Sequence, residues 1–425
     1  MTEKRKKVRR RRSRHPSHRF IFLGLMVFIV AAPAIGVYFL YMTFNSDEYN
    51  LARHDSRTSS DDPLNVRLSY IKSNTWTKLS QLPSSSWRRQ AHAGIAYDSK
   101  RGNILLFGSD THNTNWDNEI HIFNPIKEQW TSHYKSSIKK NYQVDEQGYG
   151  VVQDGELEVR PWAMHTFGNI VYDPLLDALF VTAQPKHNPM NKKLAKITGH
   201  PMWRYDLETQ SWHKLIHANP PAPELFAGAT AYDAKRDVIM AYKSGIWELG
   251  PDRQLWQQAS TEKHHQIHYN MEYDSKHHRM VVFGDYKNTN VVWSYTPGEQ
   301  VGSQGQWQQH LPEGDIPPED QHFPVAFDSD NSMFLLVPDN NKFEQVDGER
   351  VLFKGKSSST FVFDLETNFY IKVPQADLPA LDMNYMMVYD KIHKVFLLVT
   401  GDESASPAVW AFKLDLNRLT KQLNL

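Results

Sequence analysis

Six times along the chain a short apolar stretch ends in an aromatic residue followed by aspartate: Tyr97-Asp98, Tyr172-Asp173, Tyr232-Asp233, Tyr273-Asp274, Phe327-Asp328 and Tyr389-Asp390. Each pair precedes a polar turn and a second apolar run, as in Ile104 to Phe107, Val238 to Ala241 and Val395 to Val399. Short apolar runs bounded by turn residues read as strands, so the pattern predicts six hairpins. Aspartate accepts hydrogen bonds from the backbone of its own turn, which accounts for its place without any chemistry.

A third and a fourth strand follow in most units. Phe123 to Trp130, Tyr205 to Trp212 and Phe363 to Tyr370 share one spacing between a leading and a closing aromatic. Leu249 to Trp256 keeps that spacing, and Tyr295 to Trp307 lengthens the loop. The sixth unit ends at Trp410-Ala-Phe412-Lys-Leu-Asp415 without a closing aromatic in register. The missing piece stands ahead of the first unit, where Trp76-Thr-Lys-Leu79 resembles Trp212-His-Lys-Leu215. Residues 74–80 are therefore expected to complete the last sheet and close a ring, which removes exposed sheet edges. A strand at Arg418 to Leu423 is the alternative. The expectation is an all-β, six-bladed β-propeller over residues 74–416, with a tail at 417–425. A seventh blade within 131–161 would need four strands in about 30 residues, short for such a unit.

Before the repeats, Phe20 to Phe44 runs without a charge and follows ten Lys/Arg within residues 4–19. At about 1.5 Å per helical residue this stretch spans a hydrocarbon core of roughly 30 Å. Residues 20–44 are expected to form one transmembrane signal-anchor helix behind a basic cytoplasmic tail, 1–19. A polar linker would occupy 45–73. The basic flank predicts a cytoplasmic N-terminus and a C-terminal part that is periplasmic or extracellular. Cleavage at Ala32-Pro33-Ala34 is the alternative. The whole chain balances 48 Lys/Arg against 48 Asp/Glu, but beyond residue 19 the count is 38 basic to 47 acidic. Such an acidic ectodomain has no footprint for nucleic acid. There is no cysteine, which excludes disulfide and thiol chemistry. Nor is there an Asn-x-Ser/Thr sequon, so a bacterial envelope is favoured over a eukaryotic lumen.

The six aromatic-Asp anchors and the spaced tryptophans resemble kelch repeats, over about residues 74–416. The family's Gly-Gly doublet after the second strand is replaced by Gly108-Ser109, Ala183-Gln184, Gly284-Asp285 and Gly401-Asp402. The resemblance implies that the innermost strand of each blade lines a central channel. It also implies that the loops before that strand, and those between the second and third strands, share one ligand-binding face. Galactose oxidase, which shares the repeat, needs a Cys cross-linked to Tyr for its radical copper site; that site is excluded here.

On that face the residues five before each anchor aromatic are His92, Phe167, Ala227, His268, His322 and Asn384. His92, His268 and His322, with His165 and Arg89, form a candidate catalytic set: histidine as acid or base, arginine neutralising charge. Converging imidazoles are also a donor set for a divalent metal such as Zn²⁺ or Mn²⁺, with His92, His268 and His322 as the ligands. Arg160, Trp162, Trp116, Asp110, His112 and Asp117 are the candidate substrate contacts. Arginine grips a carboxylate and tryptophan stacks on a sugar ring. The bland alternative is a histidine-lined channel that holds only structural hydrogen bonds. His277-His278 falls in a turn on the opposite face and is expected to be merely solvated.

Two functions follow. One is a membrane-tethered propeller that binds or modifies an extracytoplasmic glycan, by lyase- or epimerase-like proton transfer if it is an enzyme. The other is a non-catalytic scaffold that docks a protein partner in an envelope or exopolysaccharide assembly, using insertions at 131–161 and 183–200.

Overall fold

A computed structural model describes residues 66–423, apart from 84–85, 90, 110, 112–115, 156–157, 195, 218–224, 285–290, 321 and 402–405. The basic tail and the apolar stretch 20–44 lie outside the described residues. Among the described residues no helix is long and apolar enough to cross a membrane.

The protein is all-β in the described part. Its main elements are six sheets: five have four antiparallel strands, and the fifth in order adds to its four the short strand Glu313–Gly314, parallel to its outer strand. Their innermost strands all end on an anchor aspartate. These strands are Gly94–Asp98, Ile170–Asp173, Ala229–Asp233, Asn270–Asp274, Val325–Asp328 and Met387–Asp390. Each packs on the innermost strands of the sheets before and after it, and the sixth returns to the first. The apolar clusters lie between successive sheets. One joins Leu105 and Phe107 of the first sheet to Tyr172 and Leu179 of the second, and another joins Phe283 of the fourth to Phe334 of the fifth.

The outer strand of the sixth sheet is supplied from the front of the chain. Trp76–Gln81 pairs antiparallel with Ala408–Phe412, as expected from the Trp76 segment. Asn74 fastens this junction: its side-chain amide donates to the Asp415 carbonyl at 2.8 Å and its Oδ1 accepts from Asp415 N–H at 2.9 Å. The alternative strand at Arg418 does not form. Leu416–Gln422 is a helix, capped by the Asp415 side chain accepting from Arg418 N–H. The linker also ends earlier than expected, because Leu68 and Ile71 are buried in the core between the sixth and first sheets.

Each first hairpin is turned by the same device. The anchor aspartate accepts from the N–H groups two and three residues on, at Lys100 and Arg101, Leu175 and Leu176, Lys235 and Arg236, Lys276 and His277, Asp330 and Asn331, and Ile392 and His393. The residue four on closes the turn in the left-handed region, and is Gly102, Asp177, Asp237, His278, Ser332 or Lys394. Glycine adopts that conformation without steric cost; the other five do so because the turn holds them there. His277 is thus not merely solvated. Its ring contacts Asp274 at 2.7 Å and Glu366 at 2.6 Å.

Two insertions depart from the repeat. Residues 131–161 hold a three-stranded sheet, Tyr142–Val144, Gly150–Asp154 and Glu158–Arg160, whose last strand packs on the outer strand of the second sheet. A second, unanticipated insertion is the hairpin Lys342–Val346 and Glu349–Phe353, within the fifth sheet's second-to-third connection.

Candidate functional site

The six positions before the inner strands do converge, through backbone geometry that the repeat alone does not announce. Phe167, Ala227, His268 and His322 all have left-handed φ, from 48° to 66°. That turn aims the backbone of one sheet at the next. Phe167 N–H donates to His92 C=O at 3.0 Å, His268 N–H to Ala227 C=O at 3.1 Å, and Asn384 N–H to His322 C=O at 2.7 Å. Gly94 is required at the first of these junctions, since a Cβ there would sit 1.9 Å from the Phe167 carbonyl oxygen.

The side chains form a continuous raft of rings. His92 stacks on His165 with centroids 4.1 Å apart, and His165 on His187 at 5.5 Å. Phe167 stands edge-on to His268 at 5.4 Å and to Tyr385 at 5.5 Å. His268 lies 4.0 Å from His322 and shares a 2.9 Å hydrogen bond with the Tyr385 hydroxyl through Nδ1. Phe226 packs edge-on against Phe167, with Lys186 above its ring at 5.5 Å. Phe167, Tyr385, His165 and His322 are buried, whereas His92, Phe226 and His268 are half-buried and His187 is exposed.

Burial lowers His268 to about 4, with Lys243 and His165 adding repulsion. Burial likewise holds His322 well below the ordinary histidine range, reinforced by His268 and His92. Both imidazoles are therefore uncharged at neutral pH. With a value near 4, only about one His268 in a thousand carries the acid proton at pH 7, so it is a poor general acid there. The trio His92, His268 and His322 does not make a metal site: among the described residues no three His, Asp or Glu side chains are grouped to hold an ion.

No protein-family model matches the chain, and no curated protein matches it.

The expected substrate contacts are largely used elsewhere. Arg89 is fully buried and donates to the carbonyls of Leu381 and Met383, tying the first sheet to the sixth. Arg160 is ion-paired with Glu158 at 2.6 Å and Asp154 at 3.2 Å, and lies 4.0 Å above the Tyr134 ring. Trp162 is wholly buried in the three-stranded insertion, against Tyr142 and His200. Trp116 packs edge-on to Tyr142 with Lys139 over its ring. Asp117 accepts from Ser136 at 2.7 Å and faces His121 Nε2 at 2.7 Å; these contacts hold its carboxyl below the usual range despite burial. Neither arginine has a free guanidinium face, and Trp162 offers no ring to a sugar. The insertion reads as a loop in sequence because its strands are three to five residues long and non-repeating. Its polar residues are in fact the support of a small sheet. Asp110 and His112 lie outside the described residues.

Sequence reasoning missed Phe226, Glu272 and Tyr385; the position of Tyr385, four before the anchor aromatic, is also aromatic at Tyr269 and Phe323. A cavity of about 340 Å³ is lined by residues of all six inner strands. Glu272 lines it at the position before the anchor aromatic, where the other sheets carry Ala96, Val171, Ala231, Ala326 and Val388. Aligning the six anchors exposes this signal at once: one carboxyl against five small or branched apolar residues.

Proposed function

We propose that the chain is a kelch-like six-bladed β-propeller, tethered to a membrane through residues 20–44, whose ring-lined axial end binds an acidic glycan outside the cytoplasm. The propeller reading is supported by the cyclic packing of six inner strands and by the Trp76–Gln81 strand that completes the sixth sheet. The glycan reading is carried by the raft of half-exposed rings His92, His187, Phe226 and His268 beside Lys186 and Lys243. Flat rings stack on a sugar, imidazoles such as the uncharged His268 exchange hydrogen bonds with its hydroxyls, and the lysines offset a carboxylate. Binding is favoured over turnover, because the arginines expected to neutralise developing charge are committed to protein groups.

The test is retention of the full-length chain, in uncharged detergent, on immobilised acidic and neutral oligosaccharides. Acidic sugars should retain it, and Phe226→Ala or Lys243→Ala should weaken retention tenfold or more. Equal retention on neutral sugars, or no effect of either substitution, rejects the assignment. A stoichiometric protein that co-purifies from membranes with no glycan retained replaces it with the docking function.

A further inference from the structure

The cavity lined by the six inner strands extends away from the exposed rings. Phe167 and Tyr385, both buried, bound the cavity on the side of the rings. At the other side exposed Ser329 and Lys391 line it, so it reaches the surface among the six aspartate turns. Tyr97, Tyr172, Tyr232, Tyr273, Phe327 and Tyr389 are among the residues that line it. Four of these phenols are engaged with turn carboxylates: Tyr97 with Asp390 at 2.6 Å, Tyr172 with Asp177 at 2.7 Å, Tyr232 with Asp237 at 2.8 Å and Tyr389 with Asp330 at 2.6 Å. Those bonds and burial raise their pKa values, so they are neutral rings at any physiological pH. Tyr273 and Tyr385 are raised by burial in the same direction.

Glu272 is the one carboxyl among the described lining residues, and Lys391 the one cation, at the mouth. The Phe327 N–H is bonded to the Glu272 carboxyl, and burial pushes the group up to about 8. No strand geometry requires a carboxyl there, since five sheets form the same strand with Ala or Val. Glu272 is half-buried, and a carboxylate held in a cavity lined mainly by apolar and aromatic residues is stabilised by a cation beside it. A hard metal ion would need several more oxygen ligands. Aromatic walls instead suit a soft, weakly hydrated cation.

We propose that this cavity binds a small organic ammonium ion, with the Glu272 carboxylate as its counter-charge and the tyrosine rings as its wall. Binding ionises the carboxyl, and its proton leaves to solvent.

The experiment is titration calorimetry of the full-length chain, in uncharged detergent, with choline and with its neutral isostere 3,3-dimethylbutan-1-ol. Choline is expected to bind one per chain at pH 8 and to weaken about tenfold for each pH unit below that, as linkage to one proton requires. Heats in buffers of different ionisation enthalpy should show proton release. Glu272→Gln should lose at least tenfold in choline affinity while melting no lower than the parent. Should that variant not fold, Glu272→Ala serves, because alanine fills the position in three other sheets. No choline binding at pH 8, unchanged binding in the folded variant, or equal affinity for the alcohol overturns the proposal. None of these outcomes bears on the glycan site at the other end.

Discussion

At one end of the axial cavity, six aspartates from Asp98 to Asp390 each close a turn with the same pair of backbone N–H bonds. At the other, the six equivalent positions hold His92, Phe167, Ala227, His268, His322 and Asn384, and the contacts differ from sheet to sheet. The regular end is a folding device. Its second carboxylate oxygen takes a side chain three residues on in five turns, at Arg101, Arg236, His277, Asn331 and His393. In the second sheet that position is Leu176, and Arg253 from the third sheet reaches across instead, at 2.6 Å from Asp173. The irregular end replaces a repeated local bond with ring packing between sheets. Repetition thus marks where stability is local, and its loss marks where the surface is free to specialise.

The largest expected effect lies at the regular end. Asp173→Ala removes a fully buried partner from Arg253, itself almost buried, and leaves the guanidinium only the more exposed Asp237 as carboxylate partner. Loss of one member of such a pair costs about 3–5 kcal/mol, which chemical denaturation will read. Asp328→Ala, whose partner Asn331 is neutral, should cost less; equal costs would mean that the turn bonds, not the ion pair, dominate.

The next effect separates the buried histidines from Glu272 by pH. His200, His268 and His310 are depressed to about 4 by burial. Unfolding therefore takes up protons between about 4 and the ordinary histidine value, so stability is present above 6.5 and is lost as pH falls towards 4. Glu272 acts in the opposite sense. Raised to about 8, it is protonated in the fold where the unfolded chain has released its proton, so its contribution is lost as pH rises from about 4.5 to 8. Melting temperature should be highest near pH 6.5. Glu272→Ala should leave the acid limb in place and abolish the alkaline decline. An alkaline limb that survives the substitution assigns it to another group.

The smallest effect tests the turns. Lys394 occupies the left-handed position that Gly102 fills in the first sheet. Lys394→Gly relieves the side-chain clash but adds freedom to the unfolded chain, so the two should nearly cancel, within about 0.5 kcal/mol. A gain well above that would show that the turns store strain.

The sheets, their order and their closure by Trp76 were legible because each rests on a local pattern repeated six times, and errors at one copy are corrected by the others. The aspartate turns were legible for the same reason: an acceptor two residues from its donors needs no tertiary partner. The candidate contacts in 109–162 were not. Arg160 and Trp162 have the residue types of a binding site, and only the three-stranded insertion decides that both are spent inside it.

The amino-acid sequence by itself determined the number of strand units, the turn chemistry and the segment that joins the ends, since these depend on short-range bonding and on the alternation of apolar and polar positions. Tertiary structure alone decided which side chains reach a ligand. Exposure, the depressed histidines and the unusual Glu272 all arise from how the sheets pack against one another, and His322 is influenced by His92, far away in sequence.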